Sequence, residues 1–390
     1  MSEKVDNLPE LTASERVRYS RHLILPEVGL QGQKKLKAGS VLIVGAGGLG
    51  SPAGMYLAAA GVGKIGIVDF DKIDLSNLQR QIMHATEDVG TSKCASAKKR
   101  MQEINPEIEV VVHEEQVSQA NIEKLVKLYD VVIDATDNFS TRYLINDACV
   151  LGKKPNIYGA IYRFEGQASV FAPGQGCYRC LFPFPPPPDT VPNCAEGGVL
   201  GVLAGIIGVL QATEAIRILI GMGSGLIGRL MLYDAMEMRF DTLNVKRNAD
   251  CPICGDKPTI TTVVDTAVSC APVATGSGSD SAQVADAEIT AASLNERLEE
   301  GDKFLLLDVR NPEEYVLCSI PGSTLIPLPE LTKHIKDLDK EQEIIVYCKS
   351  GARSRRAMGM LQASGCKNVK NLTGGILSWI AEVDPSMPSY

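Results

Sequence analysis

The sequence predicts an α/β fold made of two domains, and three observations lead to this class. Apolar runs of strand length alternate with longer segments of helical character through the first 262 residues. Residues 263–286 are mostly small and polar, contain no lysine or arginine, and are typical of a linker. Strands and helices then alternate again from residue 287 to residue 390. Because such alternation is typical of parallel sheets covered by helices, we expect a larger α/β domain and a second, smaller one.

The composition is that of an ordinary globular protein. Of 390 residues, 45% are hydrophobic and 22% are charged, and the formal net charge is -8. This acidic balance argues against a nucleic-acid partner, since no broad basic surface is available to neutralise phosphates. The polar N-terminus lacks the apolar stretch of a secretion signal, so we expect a cytoplasmic location. The apolar stretch 199–210 is interrupted by Gln211, Glu214 and Arg217 before it is long enough to cross a membrane, and it predicts a buried or interface helix.

A glycine-rich turn directly after a buried strand marks the centre of the first domain. Residues 41–44 form an apolar strand, and Gly45, Gly47, Gly48 and Gly50 follow it within a few positions. This pattern lets the backbone approach a phosphate closely, while the helix that follows directs its first N–H groups toward the anion. The arrangement predicts a Rossmann-like nucleotide site.

A carboxylate is expected beside the same nucleotide. Asp69 ends the next apolar run, about 20 residues beyond the last glycine, where an acid can hold ribose hydroxyls. Strand, turn, helix, strand and acid together predict nucleotide binding but leave the nucleotide open. An NAD-dependent oxidoreductase therefore remains an alternative at this point.

The remaining elements of the first domain are expected around this centre. A flexible tail over residues 1–13 precedes a helix from Ser14, its expected cap, to Leu23. The later elements are a strand at 108–113, a helix at 119–128, a strand at 130–134, a helix at 140–149 and strand-like segments over 158–171. Asp137 directly follows the strand at 130–134, so it belongs at the sheet edge where Mg²⁺ on phosphate oxygens would lie. A helix cap is the alternative role for Asp137.

Two Cys-x-x-Cys pairs predict a zinc site. Cys177 and Cys180 form the first pair, and Cys251 and Cys254 form the second. Two such pairs commonly build a tetrahedral four-cysteine zinc site, and eleven cysteines without an export signal argue against a disulfide framework. Buried free thiols or a redox pair are the alternatives.

A proline-rich loop between the two pairs carries a further cysteine. Cys194 lies near the end of this loop and before a helix, whose N-terminus would favour a thiolate. A buried and unreactive thiol is the alternative.

Cys348 is the candidate nucleophile of the second domain. It follows an expected strand at 343–347, and the loop from Cys348 to Arg353 precedes an expected helix at 355–363. A loop curled around a cysteine aims backbone N–H groups at the sulfur, and the helix N-terminus and Arg353 add positive field. These groups favour a reactive thiolate.

The first domain resembles the MoeB/ThiF family, relatives of the ubiquitin-activating enzymes, over about residues 12–260. The resemblance lies in RYSRHLILPEVG, GAGGLGSP, DFDKIDLSNLQRQ, ATDN and the two cysteine pairs. It implies ATP and Mg²⁺ as ligands and assigns roles to individual residues. These are Asp69 on the ribose, Ser76, Asn77, Arg80 and Lys93 around the triphosphate, Asp137 and Asn138 near Mg²⁺, and Arg21 reaching the ATP of the neighbouring subunit in a homodimer.

The second domain resembles rhodanese domains through DVRNPEEY, IPGSTLIP, YCKSGARS and GGILSW. The whole chain is thus similar to fused adenylyltransferase-sulfurtransferases. The resemblance implies adenylation of the C-terminal Gly-Gly of a ubiquitin-like sulfur carrier protein. A persulfide on Cys348, loaded from a persulfide or thiosulfate donor, would then convert the acyl adenylate to a thiocarboxylate. In relatives the counterpart of Cys194 is implicated in a covalent or persulfide intermediate.

The resemblance leaves the pathway open. Molybdopterin (molybdenum cofactor) biosynthesis is the first expectation, and thiamine, cysteine or tRNA thiolation are alternatives. Arg80, Lys93 and Asp137 argue against hydride transfer, which needs no such groups around a triphosphate. For the second domain, a phosphatase or a binding module is the alternative, although the spacing from Cys348 to Arg353 is shorter than a phosphatase loop requires. The chain also departs from the rhodanese pattern at Cys318-Ser319 and Lys349.

Overall fold

An eight-stranded sheet forms the core of the first of two units, Met1–Ala271 and Pro272–Tyr390. The computed structural model describes residues 8–185, 197–264 and 287–388. In chain order the described α-helices and strands of the first unit are α1 (Ala13–Arg18), α2 (Ser20–Leu23), α3 (Gly29–Ala38), β1 (Ser40–Val44), α4 (Gly50–Ala60), β2 (Lys64–Val68), α5 (Lys93–Ile104), β3 (Glu109–His113), α6 (Ile122–Lys127), β4 (Val131–Asp134), α7 (Phe139–Leu151), β5 (Asn156–Tyr162), β6 (Glu165–Phe171), α8 (Tyr178–Leu181), α9 (Val202–Ile220), β7 (Arg229–Asp234) and β8 (Arg239–Asn244).

The strand order creates a crevice at the end of β1. The order across the sheet is β3-β2-β1-β4-β5-β6-β7-β8, with the first five strands parallel and the last three antiparallel. The chain moves from β1 to β2 on one side and returns to β4 on the other. Ligands bind at such a switch point in open α/β sheets, so the fold confirms the predicted Rossmann-like class.

The register of β1 brings the predicted site residues to one edge. Val44 pairs with Val68 of β2 on one side and with Asp134 of β4 on the other. The turns after all three strands therefore start side by side. Val41 and Ile43 are fully buried, and burying such a side chain contributes about 1.5–3 kcal/mol, so this edge is held by a rigid core.

The apolar stretch after residue 199 belongs to α9, which packs against α4 and β5. By length and composition, α9 alone among the described helices could cross a membrane. Within the fold it lies in the core, because its Gln211 side chain is fully buried and donates to the carbonyl oxygens of Asp134 at 2.7 Å and Ile157 at 3.0 Å. The prediction of a buried helix is confirmed for this face.

The N-terminal region differs from the sequence prediction. The expected single helix is two short helices, α1 and α2, which meet at the buried Tyr19. The cap is Thr12 rather than Ser14, because the Thr12 hydroxyl accepts from the backbone N–H of Glu15 while the Glu15 carboxylate accepts from the N–H of Thr12. Leu11, expected in the flexible tail, is buried.

The far end of the first unit also extends beyond the predicted boundary. Val263 is buried among the apolar side chains of this unit, so the linker cannot begin at that residue. Residues 265–286 of the predicted linker lie outside the described residues.

The second unit is a five-stranded parallel sheet with the order β11-β10-β12-β13-β9, which confirms a second, smaller α/β domain. Its described α-helices and strands are β9 (Glu288–Ile289), α10 (Ala291–Glu300), β10 (Leu305–Asp308), α11 (Pro312–Leu317), β11 (Thr324–Leu325), α12 (Leu331–His334), β12 (Ile344–Tyr347), α13 (Ala352–Ala363), β13 (Val369–Leu372) and α14 (Gly375–Glu382). The helix after Cys348 begins at Ala352 rather than at the predicted Arg355, so Arg353 lies in its first turn.

Candidate functional sites

A cavity of about 310 Å³ opens at the switch point of the first unit. The residues that line it come from the turns after β1, β2 and β4 and from the segment before α5. Those predicted from the sequence are Gly45, Gly47, Gly48, Asp69, Arg80, Lys93, Asp137 and Asn138. Two of these predicted residues are cations and two are carboxylates, and they surround the glycine-rich turn.

Two glycines shape the turn itself. Gly45 has φ +106°, a left-handed conformation, and a Cβ atom there would lie 2.7 Å from the carbonyl oxygen of Ala135. At Gly50 a Cβ atom would lie only 2.0 Å from the carbonyl oxygen of Gly45. Gly50 does not line the cavity, so its role is to let α4 start directly beneath the turn.

The charged residues of the cavity are held by specific partners. Asp69 Oδ2 accepts from the backbone N–H of Ala46 at 2.8 Å, which ties the acid to the glycine-rich turn. Lys93 is the first residue of α5 and is buried, and its Nζ lies 2.7 Å from Asp71 Oδ2. Arg80 Nη1 donates to the carbonyl oxygen of Ser76 at 3.1 Å. These contacts fix the cations at positions where they can neutralise an anion.

The structure separates the roles of Asp137 and Asn138. Asn138 is the cap of α7, and its Oδ1 accepts from the backbone N–H of Thr141 at 2.9 Å. The alternative role of Asp137 as the cap is therefore wrong. Asp137 lies in the turn after β4, where Asp134 Oδ1 accepts from both the N–H and the hydroxyl of Thr136 and so orders the backbone. Its carboxylate is among the groups that line the cavity.

Three other predicted ligands do not line this cavity in the described part of the chain. Ser76 and Asn77 form the turn before Arg80, where Ser76 Oγ donates to Asp74 Oδ1 at 2.6 Å and Asn77 Oδ1 accepts from the N–H of Asp74. Arg21 is an exposed residue of α2.

Sequence reasoning missed several residues of the cavity, of which Gln81 and Arg142 are the most informative. The Gln81 side chain is buried, and within the described residues its Oε1 has no hydrogen-bond partner, so it suits a ligand that donates. Arg142 is a buried cation whose Nη2 donates to the Thr136 carbonyl oxygen at 3.0 Å. The sequence feature that could have indicated Gln81 as a cavity residue is its position next to Arg80.

The two cysteine pairs come together as predicted. The four sulfur atoms lie within 4.8 Å of one another, with Cys177 Sγ 3.6 Å from Cys251 Sγ and Cys180 Sγ 3.3 Å from Cys254 Sγ. Four sulfurs at about 2.3 Å from a central zinc would lie about 3.8 Å apart, so the spacing fits a metal. Burial raises the pKa of the Cys177 thiol, and a bound cation is what would hold such thiolates together.

Helix α7 supports the first cysteine pair through two buried contacts. Asn146 Oδ1 accepts from the backbone N–H of Tyr178 at 2.8 Å. The Asp147 carboxylate accepts two hydrogen bonds from Arg179, at 2.8 and 2.7 Å. Because Tyr178 and Arg179 are the two residues between Cys177 and Cys180, these contacts orient the pair before any metal binds.

Cys348 lies at the end of β12 in a loop that directs donors at its sulfur. The side chain is buried, and its Sγ accepts from the N–H of Gly351 at 3.1 Å and from the hydroxyl of Ser354 at 3.4 Å. Helix α13 begins directly after Gly351, which adopts φ +101°. The predicted cradle of donors around an anionic sulfur is thus present.

Arg353 lies in the first turn of α13, directly after the loop of Cys348. Its guanidinium forms two hydrogen bonds of 2.7 Å with the carboxylate of Glu314 on α11. The positive charge is shared with this carboxylate, so the N–H and hydroxyl donors carry the direct contact with the sulfur. Cys318 is buried and its carbonyl oxygen accepts from Arg310 at 2.8 Å. Cys194 lies outside the described residues.

Two known protein families match this chain. Residues 19–253 match the ThiF family, and residues 290–382 match the rhodanese-like domain. The chain is 46% identical over 394 residues to a protein of Mycobacterium tuberculosis named probable adenylyltransferase/sulfurtransferase MoeZ, which covers 99% of this chain and 98% of that protein. It is 42% identical to adenylyltransferase and sulfurtransferase MOCS3 of Aedes aegypti, over 98% of this chain and 90% of that protein.

Solved structures agree on the fold of the first unit. The crystal structure of E. coli MccB with ATP aligns with a TM-score of 0.54 at 23% identity, over 63% of this chain and 75% of that chain. Another crystal structure of E. coli MccB gives 0.57 at 22% identity, over 64% and 75%. At these identities the likeness concerns the fold alone. From the family matches and the full-length relatives, the chain is a member of the ThiF family with a C-terminal rhodanese-like domain, an adenylyltransferase and sulfurtransferase.

Proposed function

We propose that the first unit binds ATP with Mg²⁺ and adenylates the C-terminal carboxylate of a ubiquitin-like sulfur carrier protein ending in Gly-Gly. The observation that carries this proposal is the cavity in which Arg80, Lys93 and Asp137 surround the glycine-rich turn. A carboxylate attacks the α-phosphorus of ATP only when the phosphate charge is neutralised. Arg80 and Lys93 supply positive charge, and Asp137 would hold the metal ion. The tail of two glycines is narrow enough to reach a phosphate inside such a cavity.

The second unit would deliver the sulfur. The Cys348 thiolate attacks the outer sulfur of a persulfide or of thiosulfate, the S–S bond of the donor breaks, and a thiolate or sulfite leaves. The N–H of Gly351 and the hydroxyl of Ser354 stabilise the persulfide anion on Cys348. The terminal sulfur attacks the carbonyl carbon of the acyl adenylate, and AMP leaves. A second thiol, either Cys194 or a thiol in solution, then attacks the sulfur of Cys348, forms a disulfide with it and releases the thiocarboxylate. A further thiol in solution reduces this disulfide and restores Cys348.

The pathway we propose is molybdenum cofactor biosynthesis in the cytoplasm, with thiamine, cysteine and tRNA thiolation as alternatives served by the same chemistry. The test is to incubate the protein with ATP, thiosulfate and each candidate carrier, and to measure the carrier by intact mass. The expected carrier gains the mass difference between a carboxylate and a thiocarboxylate. A carrier lacking its terminal Gly-Gly is the matched control, and equal conversion of both would refute the proposal.

The four-cysteine cluster supports zinc as a structural ion. We expect the purified protein to contain about one zinc per chain. Cys251→Ser should lose this zinc and lower the Tm of the first unit by about 10 °C or more, since its ligands join distant parts of the chain. Metal analysis and calorimetry measure both effects, with Cys94→Ser as a control that removes a buried cysteine outside the cluster. Zinc absent from the parent, with four thiols that react freely, would contradict this assignment.

We propose that the protein is a homodimer in which Arg21 reaches the nucleotide site of the partner subunit. An apolar groove along α9, lined by Ile82, Val202 and Val209, supports a second copy as its occupant. The Val202 side chain is 65% exposed, which costs free energy in water unless it is covered. Arg80 lines both this groove and the nucleotide cavity, so a subunit seated there would lie next to the phosphates.

Mixing two inactive variants tests this arrangement. Neither Arg21→Ala nor Asp137→Ala alone should support ATP–pyrophosphate exchange. Hybrid dimers contain one site with both residues intact, so mixing should restore up to about a quarter of the parent rate in a statistical mixture. No recovery after subunit exchange has been verified by mass spectrometry would place Arg21 outside the partner's site.

A further inference from the structure

A network of polar contacts with His84 at its centre adjoins the glycine-rich turn. The His84 side chain is buried, and its Nε2 lies 2.9 Å from the carbonyl oxygen of Ala46, within the turn. Its Nδ1 lies 3.0 Å from Ser96 Oγ of α5. His84 does not itself line the nucleotide cavity. Its contact with the turn is therefore made outside the lining of the cavity.

The Ala46 carbonyl and the burial of the ring define the tautomer of His84. A carbonyl oxygen only accepts, so Nε2 carries the hydrogen and donates it to Ala46. Burial lowers the pKa of His84, which favours the neutral ring with its hydrogen on Nε2. The Ser96 hydroxyl donates its hydrogen to Asp88 Oδ2 at 2.9 Å, so the hydrogen on Nε2 of His84 is fixed by the Ala46 carbonyl and not by Ser96.

The contact with Ala46 controls the direction of a neighbouring N–H group. In a planar trans peptide the C=O and the N–H point in opposite directions. Because the Ala46 carbonyl points toward His84, the N–H of Gly47 in the same peptide points away from His84, and Gly47 lines the cavity. The preceding peptide is fixed as well, since the Ala46 N–H donates to Asp69 Oδ2. Among the described residues the Gly47 N–H has no hydrogen-bond partner.

We propose that His84 is a positioning residue for adenylation, which holds the Ala46 carbonyl so that the Gly47 N–H is aimed at a phosphate of the bound nucleotide. The proposal rests on the nucleotide site proposed above. It predicts weaker binding of ATP rather than a slower chemical step, because His84 does not line the nucleotide cavity. The KM for ATP should therefore respond more than kcat.

Two conservative variants separate this role from general packing. In His84→Gln the amide nitrogen can occupy the place of Nε2 and still donate to Ala46, whereas in His84→Asn the shorter amide reaches Ser96 but not Ala46. We expect His84→Asn to raise the KM for ATP about three- to tenfold, the effect of one hydrogen bond, and His84→Gln to stay near the parent. The KM for the carrier and the thiosulfate sulfurtransferase rate should not change in either variant. Equal KM values for ATP in the two variants would overturn the proposal.

A second measurement needs no variant. The chain has only four histidines, so the ring nitrogens of ¹⁵N-histidine-labelled protein can be resolved by NMR. We expect hydrogen on Nε2 of His84, and a shift of this signal when ATP is added. Nε2 without a hydrogen would overturn the proposal even if both variants fail to fold. A parent chain that shows no exchange with any carrier would instead remove the nucleotide site itself, and the His84 proposal with it.

Discussion

Replacing Asp137 with alanine is expected to slow ATP–pyrophosphate exchange by about a hundredfold or more, while the first unit remains folded. Asp137 lies in the turn after β4 and lines the nucleotide cavity, so its carboxylate is placed to hold a cation on the phosphates. The change removes a charged group from the cavity and leaves the buried apolar side chains of the sheet intact. Exchange measured with a saturating carrier reports this step alone.

The neighbouring residue provides a matched control. Asn138 caps α7, so Asn138→Ala should reduce the stability of the first unit by about 1 kcal/mol. Asp137→Ala should leave the Tm close to that of the parent, because its side chain is not the cap. The reverse pattern, with Asp137→Ala destabilised but still active in exchange, would mean that this carboxylate has a structural role and that Mg²⁺ is held elsewhere.

The parts of the nucleotide site that the sequence predicts well are those encoded locally. The strand at 41–44 and the glycines after it need no distant residue to be recognised, because apolar periodicity and backbone freedom are local properties. Asp69 and Asp137 follow from topology, since parallel strands bring their carboxyl ends to the same edge. The two cysteine pairs were predictable for another reason: their spacing fits metal coordination, whatever fold joins them.

The parts that were missed depend on contacts between distant segments. The ion pair between Arg353 and Glu314, which is many residues earlier in the chain, was not predicted. The contact between His84 and Ala46 is also made by residues far apart in the sequence. The error at Ser14 has a different origin. Thr12 and Glu15 form a capping box whose two residues are only three positions apart, so this cap is encoded locally, but the predicted tail over residues 1–13 included Thr12.

The two units carry separable chemistry. Phosphate-neutralising cations and a carboxylate belong to the first unit, whereas the buried cysteine within a loop of donors belongs to the second. The loop from Cys348 to Arg353 is shorter than a phosphatase loop, and an N–H and a hydroxyl are directed at the sulfur itself. This difference favours persulfide chemistry over phosphatase chemistry at Cys348.

Cys348→Ala should therefore leave adenylation at the parent rate and lower thiocarboxylate formation about a thousandfold or more, since the atom that carries the sulfur is gone. Exchange measures the first step, and intact mass of the carrier after incubation with ATP and thiosulfate measures the second. Cys318→Ala is the matched control, because it removes another buried cysteine of the same unit and should keep sulfur transfer. Cys194→Ala is expected to impair transfer less than Cys348→Ala, since a thiol in solution can complete the release. Normal thiocarboxylate formation by Cys348→Ala would refute the assignment of Cys348 as the sulfur carrier of this enzyme.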